Sequence, residues 1–181
     1  LTKNADGDLV IEIIGMKVHH CVLSHGRIII PEFIKGYKVE NIADGAFAYE
    51  TRTTLISIPY TVKNIGIGVF DGCSSLNNVT INENNSVFKM EGSAIIKNSN
   101  ILHTYIAIDN TSAYTLPVTI KEIAERAFSG NNTLASISLP NELEIIGAGA
   151  FANCSKLTSI NASADGKFSF ENGALYSKDK V

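Results

Sequence analysis

Several residue types that mark other classes of protein are scarce in this chain. Its 181 residues include no Trp, 4 Pro and 3 Cys, and only 18% are charged. Three cysteines are too few, and odd in number, for a disulfide framework. No two Lys or Arg residues are adjacent and the net charge is −3, which argues against a nucleic-acid partner because phosphate binding needs clustered cations. No apolar stretch reaches the roughly 18 residues of a membrane-spanning helix.

The composition nevertheless favours a chain that folds around a core. Hydrophobic residues make up 45% of the sequence, so the chain can bury a substantial core and is not intrinsically disordered. Its length predicts one compact domain or one uninterrupted repeat array. The apolar segment from Leu9 to Met16 is short and contains Glu12, so we predict a strand there and not a signal peptide.

One block of residues recurs three times with the same spacing. It reads Pro-x-x-apolar-x-x-Ile-small-x-x-apolar-Phe and begins at Pro59, Pro117 and Pro140. A fourth copy, from Val39 to Phe47, keeps the same offsets but lacks the proline. The final Phe residues of neighbouring copies, Phe47 and Phe70, are 23 residues apart, and so are Phe128 and Phe151. We call this interval the repeat length, and a fixed period of this kind predicts a repeat protein.

A short strand pattern, Leu-x-x-Ile-x-Leu or a close variant, accompanies these blocks. It occupies Leu55–Ile58, Leu76–Ile81, Leu134–Leu139 and Leu157–Ala162. Period-two alternation places Ile137 and Leu139 on one face and the serines on the other. Proline at the strand end cannot donate to a ladder, so the chain turns there. A second strand-like step and a short helical segment with the Ala-Phe pair complete one coil, whose apolar stripe can be buried only against neighbouring coils.

The copies are nested in a larger duplication. The apolar residues from Ile65 to Leu76 recur with the same spacing from Ile146 to Leu157. Residues 1–30 do not fit the repeat, and their strand-like segments predict an N-terminal β cap that shields the first coil. Residues 31–181 are predicted to form the repeat array. We expect the array to continue beyond Val181 in the natural protein, because an open apolar coil end normally requires a cap.

The motif in residues 134–155, L-x-S-I-x-L-P-x-x-L-x-x-I-G-x-x-A-F-x-x-C-S, resembles the BspA-type leucine-rich repeat. The resemblance covers roughly residues 28–181. It implies a repeat solenoid, a right-handed β/α superhelix with short strands on the concave face and short helical or irregular segments outside. It also implies a secreted or surface-anchored bacterial protein. Some members of the family are adhesins that bind host extracellular-matrix proteins, and the family has no catalytic residues to transfer to this chain.

Few residues suggest chemistry. His19, Cys21 and His25 are of metal-ligand types, but zinc requires four tetrahedral ligands at characteristic spacings, so ordinary cap residues are the favoured interpretation over a metal site. Cys73 and Cys154 occupy equivalent positions in different coils, and we expect buried free thiols too far apart for a disulfide. Because hydrolase and nucleotide-binding motifs are also absent, the sequence predicts no enzyme activity, no metal and no cofactor.

The outward-facing residues of the predicted strands indicate a binding surface. A column of small uncharged polar groups is predicted at Ser57, Thr80, Ser138 and Asn161, flanked by Ser136, Ser159 and Asn77. Such a face is rich in hydrogen-bonding groups, which suits protein or glycan and suits anions poorly. The alternative is that these residues only make the sheet soluble.

Four tyrosines lie off the core pattern. They are Tyr49, Tyr60, Tyr105 and Tyr114. Tyr is enriched at interfaces because one side chain supplies both contact area and a polar tip. The alternative for each of them is packing on its own loop.

These observations predict a noncatalytic binding module of a bacterial cell-surface or secreted protein. It would act in adhesion or protein–protein interaction through the curved repeat face, with protein (including host extracellular matrix) or glycan as the partner and a monomeric state favoured. The alternative function is a structural spacer that presents another domain away from the cell surface.

Overall fold

The computed structural model describes residues 26–178 in full and, within residues 1–25, the backbone of three short strands. The chain divides into two compact units, Leu1–Gly92 and Ser93–Val181. Every regular element in the described residues is a β-strand. In that part of the chain no helix has the length and hydrophobicity needed to cross a membrane.

The strands are short, because each follows one edge of a coil before the chain turns. Those described in the first unit are β1 (Thr2–Lys3), β2 (Leu9–Ile13), β3 (Val22–Ser24), β4 (Arg27–Ile29), β5 (Phe33–Ile34), β6 (Tyr37–Ile42), β7 (Leu55–Ile58), β8 (Asn64–Ile65), β9 (Asn78–Ile81) and β10 (Phe88–Glu91). Those described in the second unit are β11 (Ala94–Lys97), β12 (Ile101–Tyr105), β13 (Ala113–Thr115), β14 (Glu122–Ile123), β15 (Ser136–Ser138), β16 (Ile145–Ile146), β17 (Ser159–Asn161), β18 (Phe168–Glu171) and β19 (Ala174–Ser177).

The first unit stacks its coils through two ladders of parallel strands. One ladder joins β4, β7 and β9, with Ile28, Ile56 and Val79 in register. The other joins β2, β6 and β8, where Ile42 pairs with Ile65. Three antiparallel pairs complete the unit, β1 with β2, β3 with β4 and β5 with β6. The pairing within each ladder is parallel because each coil brings the chain back to the same edge in the same direction.

The second unit has the same construction. One parallel ladder joins β13, β15 and β17, with Tyr114, Ile137 and Ile160 in register, and another joins β12, β14 and β16. β11 pairs antiparallel with β12, and β18 with β19 forms an antiparallel hairpin. The four strand patterns recognised in the sequence are strands β7, β9, β15 and β17, so the repeat solenoid predicted from the sequence is confirmed.

Apolar residues that recur along the repeat are buried between successive coils. In the first unit Ile56 is fully buried and Val79 nearly so, and in the second unit Ile137 and Leu134 are each 1% exposed. In strands β7, β9 and β15 the residues on either side of Ile56, Val79 and Ile137 point to the other face and are more accessible, as the strand alternation requires. The core of each unit is therefore a set of rows that run from coil to coil.

Stacked aromatic rings form one of these rows. Phe47 and Phe70 stack in the first unit with ring centroids 6.2 Å apart. In the second unit Phe128 lies between Tyr105, at 5.0 Å, and Phe151, at 5.3 Å. Tyr105 is 6% exposed, so the tyrosine takes the core position that phenylalanine holds in the following coils.

The segment around each Ala-Phe pair is a series of turns, so the prediction of a short helical segment is wrong. The N–H groups of Ala46 and Ala48 donate to carbonyls three residues back. Those of Gly45 and Phe47, which alternate with them, donate to the carbonyls of Ile67 and Val69 in the next coil. A helix would direct every one of these donors to the carbonyl four residues back. Alternate residues are instead used for stacking the coils, and Gly45 has a left-handed φ of 61°, which a right-handed helix does not allow.

Half of the residues in the predicted cap, residues 1–30, lie outside the described residues. His19, Cys21 and His25 belong to that half. In the strands that are described, β2 joins the β6 ladder and β3 joins the β4 ladder, so both extend the stack of coils. The boundaries of the cap and of the array from residue 31 to 181 stay predictions.

Candidate functional site

The outward side of the β13, β15 and β17 ladder is made entirely of small uncharged residues. One row across the three strands is Thr115, Ser138 and Asn161, and the neighbouring row is Ala113, Ser136 and Ser159. We call these six residues the second strand face. Alternation along each strand directs them away from Tyr114, Ile137 and Ile160, which lie between the two rows.

Hydrogen bonds connect part of this second strand face. The Asn161 Nδ2 group donates to Ser138 Oγ across the ladder at 3.4 Å, and Ser159 Oγ donates to Asn161 Oδ1 along the strand at 3.1 Å. Asn161 is exposed, and Ser136, Ser138 and Ser159 are partly exposed. The Asn161 amide is therefore held in place while its second N–H group stays available to a partner.

The outward side of the β4, β7 and β9 ladder is more mixed in character. One row consists of Ile29, Ser57 and Thr80, and the neighbouring row of Arg27, Leu55 and Asn78. We call these six residues the first strand face. Ile29 is 45% exposed and Arg27 is also exposed, so this face offers an apolar and a cationic group that the second strand face lacks.

The sequence-predicted site residues fall into two groups in the structure. Ser57 pairs with Thr80 in the first unit. In the second unit Ser138 pairs with Asn161, and Ser136 pairs with Ser159. Asn77 is exposed but precedes β9. The ladder position equivalent to that of Ser136 is held by Asn78, one residue later.

Thr115 and Ile29 lie in the same rows as the predicted column and were missed in the sequence, although a signal was present. Thr115 lies one repeat length before Ser138 and is followed by Leu-Pro, as Ser138 is. Ile29 is followed by Ile-Pro, as Ser57 is. The prolines at the strand ends therefore mark Thr115 and Ile29 as members of the same rows.

A shallow groove lies beside each strand face, where the strands meet the proline turns. In the second unit the groove is about 420 Å³ and includes Thr115, Val118 and Pro140. In the first unit it is about 320 Å³ and includes Ser57 and Thr80. Each groove is open to solvent and places strand hydroxyls next to apolar turn residues, an arrangement that suits a ligand with both polar and apolar groups.

Two acidic side chains in the described residues form ion pairs with lysines of a neighbouring coil. Lys63 Nζ lies 3.3 Å from Glu40 Oε1, and Lys121 Nζ lies 3.4 Å from Glu144 Oε1. The two pairs occupy equivalent positions in the larger duplication, with the charges exchanged. No group of three or more His, Cys, Asp or Glu residues placed to hold a metal occurs in the described part of the chain.

The two described cysteines are free thiols that bond to the preceding coil. Cys73 Sγ donates to the carbonyl of Phe47 at 3.0 Å, and Cys154 Sγ donates to that of Phe128 at 3.1 Å. Both residues are partly buried. Burial raises the pKa of the Cys73 thiol from 9.0 to about 11, and it also raises the pKa of Cys154. Both groups are therefore protonated and poor nucleophiles at neutral pH.

We expect the Cys73 thiol to make stability fall in alkaline solution. The unfolded chain loses this proton near pH 9 and the folded chain near pH 11, so the contribution is complete below pH 9 and is lost as the pH rises towards 11. Urea unfolding midpoints measured between pH 8 and 11 should fall less in Cys73→Ala than in the wild type. The exposed Ser74→Ala variant is the control, and equal slopes in all three proteins would contradict the prediction.

Parallel ladders that pair strands one repeat length apart, buried rows of Leu, Ile and Phe and outward polar rows together define a leucine-rich repeat solenoid. Residues 103–180 match the family model described as a BspA type Leucine rich repeat region with 6 copies. The match confirms the resemblance seen in the sequence, and residues 103–180 carry leucine-rich repeats of the BspA type. No curated protein matches the chain.

Solved structures of bacterial proteins are similar to this chain. The pneumococcal vaccine antigen PcpA is 29% identical with a TM-score of 0.66, and the match covers 75% of this chain and 34% of that one. A leucine-rich repeat protein of Eubacterium ventriosum is 20% identical with a TM-score of 0.55, covering 72% and 47%. The T. pallidum leucine-rich repeat protein is 23% identical with a TM-score of 0.50, covering 88% and 66%. The last two likenesses concern the fold alone.

The matched regions are parts of longer proteins. The chain spans 34% of the pneumococcal antigen and 47% of the Eubacterium ventriosum protein.

Leucine-rich repeat arrays of this type are generally noncatalytic. They are suited to protein interaction, because side-chain rows on a rigid stack present a continuous surface.

Proposed function

We propose that this chain is a noncatalytic binding module of a bacterial cell-surface or secreted protein and acts in adhesion. The observation that carries the proposal is the second strand face, where six small neutral residues lie in two rows in register. The BspA-type family match and the likeness to a pneumococcal vaccine antigen support this class of function and this location.

The proposed mechanism is the summation of many weak polar contacts over a rigid surface. Ser136, Ser138 and Asn161 present hydroxyl and amide groups at fixed spacing, because ladder hydrogen bonds hold their backbones. A preformed surface loses little conformational entropy when it binds. The partner is a protein, such as one of the host extracellular matrix, or a glycan. Nucleic acid is disfavoured because the face has no cation to neutralise phosphates.

Further parts of the proposal concern organisation. Residues 1–30 act as an N-terminal cap on the array that follows, and the chain is a monomer whose strand faces are free for the partner.

The test replaces the predicted column with lysines. The four-residue variant Ser57→Lys, Thr80→Lys, Ser138→Lys and Asn161→Lys is compared with the wild type for binding to an array of extracellular-matrix proteins and glycans. We expect any binding that the wild type shows to fall at least tenfold in the variant, because bulky cations at these outward positions block close approach. These positions are solvent-accessible, so the fold should tolerate the changes.

A matched control carries the same added charge elsewhere. It places Lys at Asn84, Ser86, Thr119 and Ser155, which are exposed residues outside the strands. Equal loss in both variants would show a nonspecific effect of charge and would contradict the proposed site. Wild-type binding to none of the probes would favour the structural spacer, which needs no partner.

A further inference from the structure

Tyr49 occupies a backbone position at which three other coils carry glycine or asparagine. The position lies two residues after the repeat Phe, and its φ is 64° in Tyr49, 70° in Gly72, 73° in Gly130 and 59° in Asn153. Glycine adopts this conformation without steric cost, and asparagine adopts it more readily than other residues. A tyrosine there is conformationally unfavourable, so its presence requires a compensating benefit.

Burial does not supply that benefit. Tyr49 is 77% exposed, whereas Phe47 and Phe70 of the same coil stack are buried. Its ring rests against Gly72, since a Cβ atom added to this glycine would lie 2.5 Å from Tyr49 Cδ1 and 2.9 Å from Cε1. The glycine backbone therefore supports one side of the ring, and the remainder is open to solvent.

The residues that follow on these two turns are polar. Thr51 and Arg52 follow Tyr49 on its own turn, and Ser74 and Ser75 follow Gly72 on the next turn, all of them exposed. The turns are joined by the Tyr49 N–H, which donates to the carbonyl of Asp71 at 2.7 Å. Binding hot spots between proteins are surrounded by contacts that exclude water, which this setting does not favour. An exposed aromatic face on turns that also carry exposed hydroxyl and guanidinium groups matches a sugar ring better.

We infer that Tyr49, supported by Gly72, is a stacking platform for a pyranose ring and forms a second interaction surface on the turns of the first unit. The apolar C–H face of a pyranose carries a weak positive potential that complements the negative face of an aromatic ring. The sugar hydroxyls at the rim of that ring are then available to Thr51, Arg52 and Ser74. This surface is distinct from both strand faces, which are formed by outward residues of strands.

Saturation-transfer NMR on the whole chain tests the platform with methyl pyranosides of mannose, galactose and N-acetylglucosamine as probes. We expect saturation to reach the C–H protons on one face of at least one probe. Tyr49→Phe keeps the ring and should keep the transfer, whereas Tyr49→Asn should lose most of it. The four-lysine variant of the strand faces should retain it, which separates failure of this surface from failure of the proposed strand-face site.

Stability gives an independent readout. Tyr49→Asn should raise the urea midpoint, because asparagine is accepted at the equivalent position in Asn153 and the exposed ring contributes little to the core. A lower midpoint in Tyr49→Asn would show that the tyrosine is structural and would overturn the inference. Absence of transfer to every probe, or equal transfer in Tyr49→Asn, would also overturn it.

Discussion

Gly147→Ala should destabilise the second unit by about 3 kcal/mol, near the upper end of the usual cost of overpacking. A Cβ atom at this position would lie 2.7 Å from both the carbonyl carbon of Ala124 and Cα of Glu125, and it would also collide with the Glu125 backbone nitrogen. These atoms belong to the backbone of the preceding coil, which cannot move aside as a flexible side chain would. Urea unfolding followed by circular dichroism measures the loss.

Gly130→Ala is the matched control for Gly147→Ala. Gly130 has a φ of 73° and no atom within 4 Å of an added Cβ, so alanine there meets only the left-handed backbone cost of about 1–2 kcal/mol. If Gly147→Ala costs no more than Gly130→Ala, the coils are not as closely stacked at this position as the structure indicates. Gly66→Ala should behave like Gly147→Ala, because its added Cβ would collide with the backbone of Ala43 and Asp44.

Phe128→Ala should cost about 3–5 kcal/mol of stability, as expected for a buried aromatic residue. Phe128 is 1% exposed and lies between the rings of Tyr105 and Phe151, with Tyr114 at a centroid distance of 6.1 Å. Alanine would leave a cavity in the middle of this row, and rows held by ladders on both sides can close it only in part. The loss would be measured as the fall in the free energy of unfolding in urea.

Two variants set the scale for Phe128→Ala. Val118→Ala removes an apolar side chain that is 80% exposed and should change stability by less than about 0.5 kcal/mol. Phe151→Ala should cost less than Phe128→Ala, because Phe151 is only partly buried. A loss below about 1 kcal/mol in Phe128→Ala, well under the usual cost of removing a buried aromatic ring, would mean that the aromatic row is not a central part of the core.

Much of the fold could be predicted from local sequence patterns. Alternation in Ser136–Leu139 specifies a strand with one buried face, and Pro140 ends it, because these preferences depend only on neighbouring residues. The recurrence at a fixed repeat length then indicates stacking, since a coil with one apolar stripe cannot bury it alone. Strands β15 and β17 were predicted on these grounds, and their register makes Ser138 and Asn161 direct neighbours.

Other features depend on contacts between neighbouring coils, which the sequence pattern does not show. Tyr105 lies one repeat length before Phe128 but in a coil without the Ala-Phe motif, so its place in the aromatic row was visible only when the rings were seen to stack. The same holds for the turns around each Phe, where alternate N–H groups donate to the next coil. A helix was predicted there because the short-range pattern is compatible with one.

The sequence by itself determined that this protein is a repeat solenoid, where the strands of the Leu-x-x-Ile-x-Leu pattern lie and which side of each of them is buried. Those properties follow from the period of the apolar residues and from proline at the strand ends, which act over a few residues. Only the tertiary structure decided that the Ile-Gly glycines Gly66 and Gly147 are required by the backbone of the preceding coil, and that Tyr49 rests on Gly72. These are contacts between coils, and their geometry exists only after the coils have stacked in register.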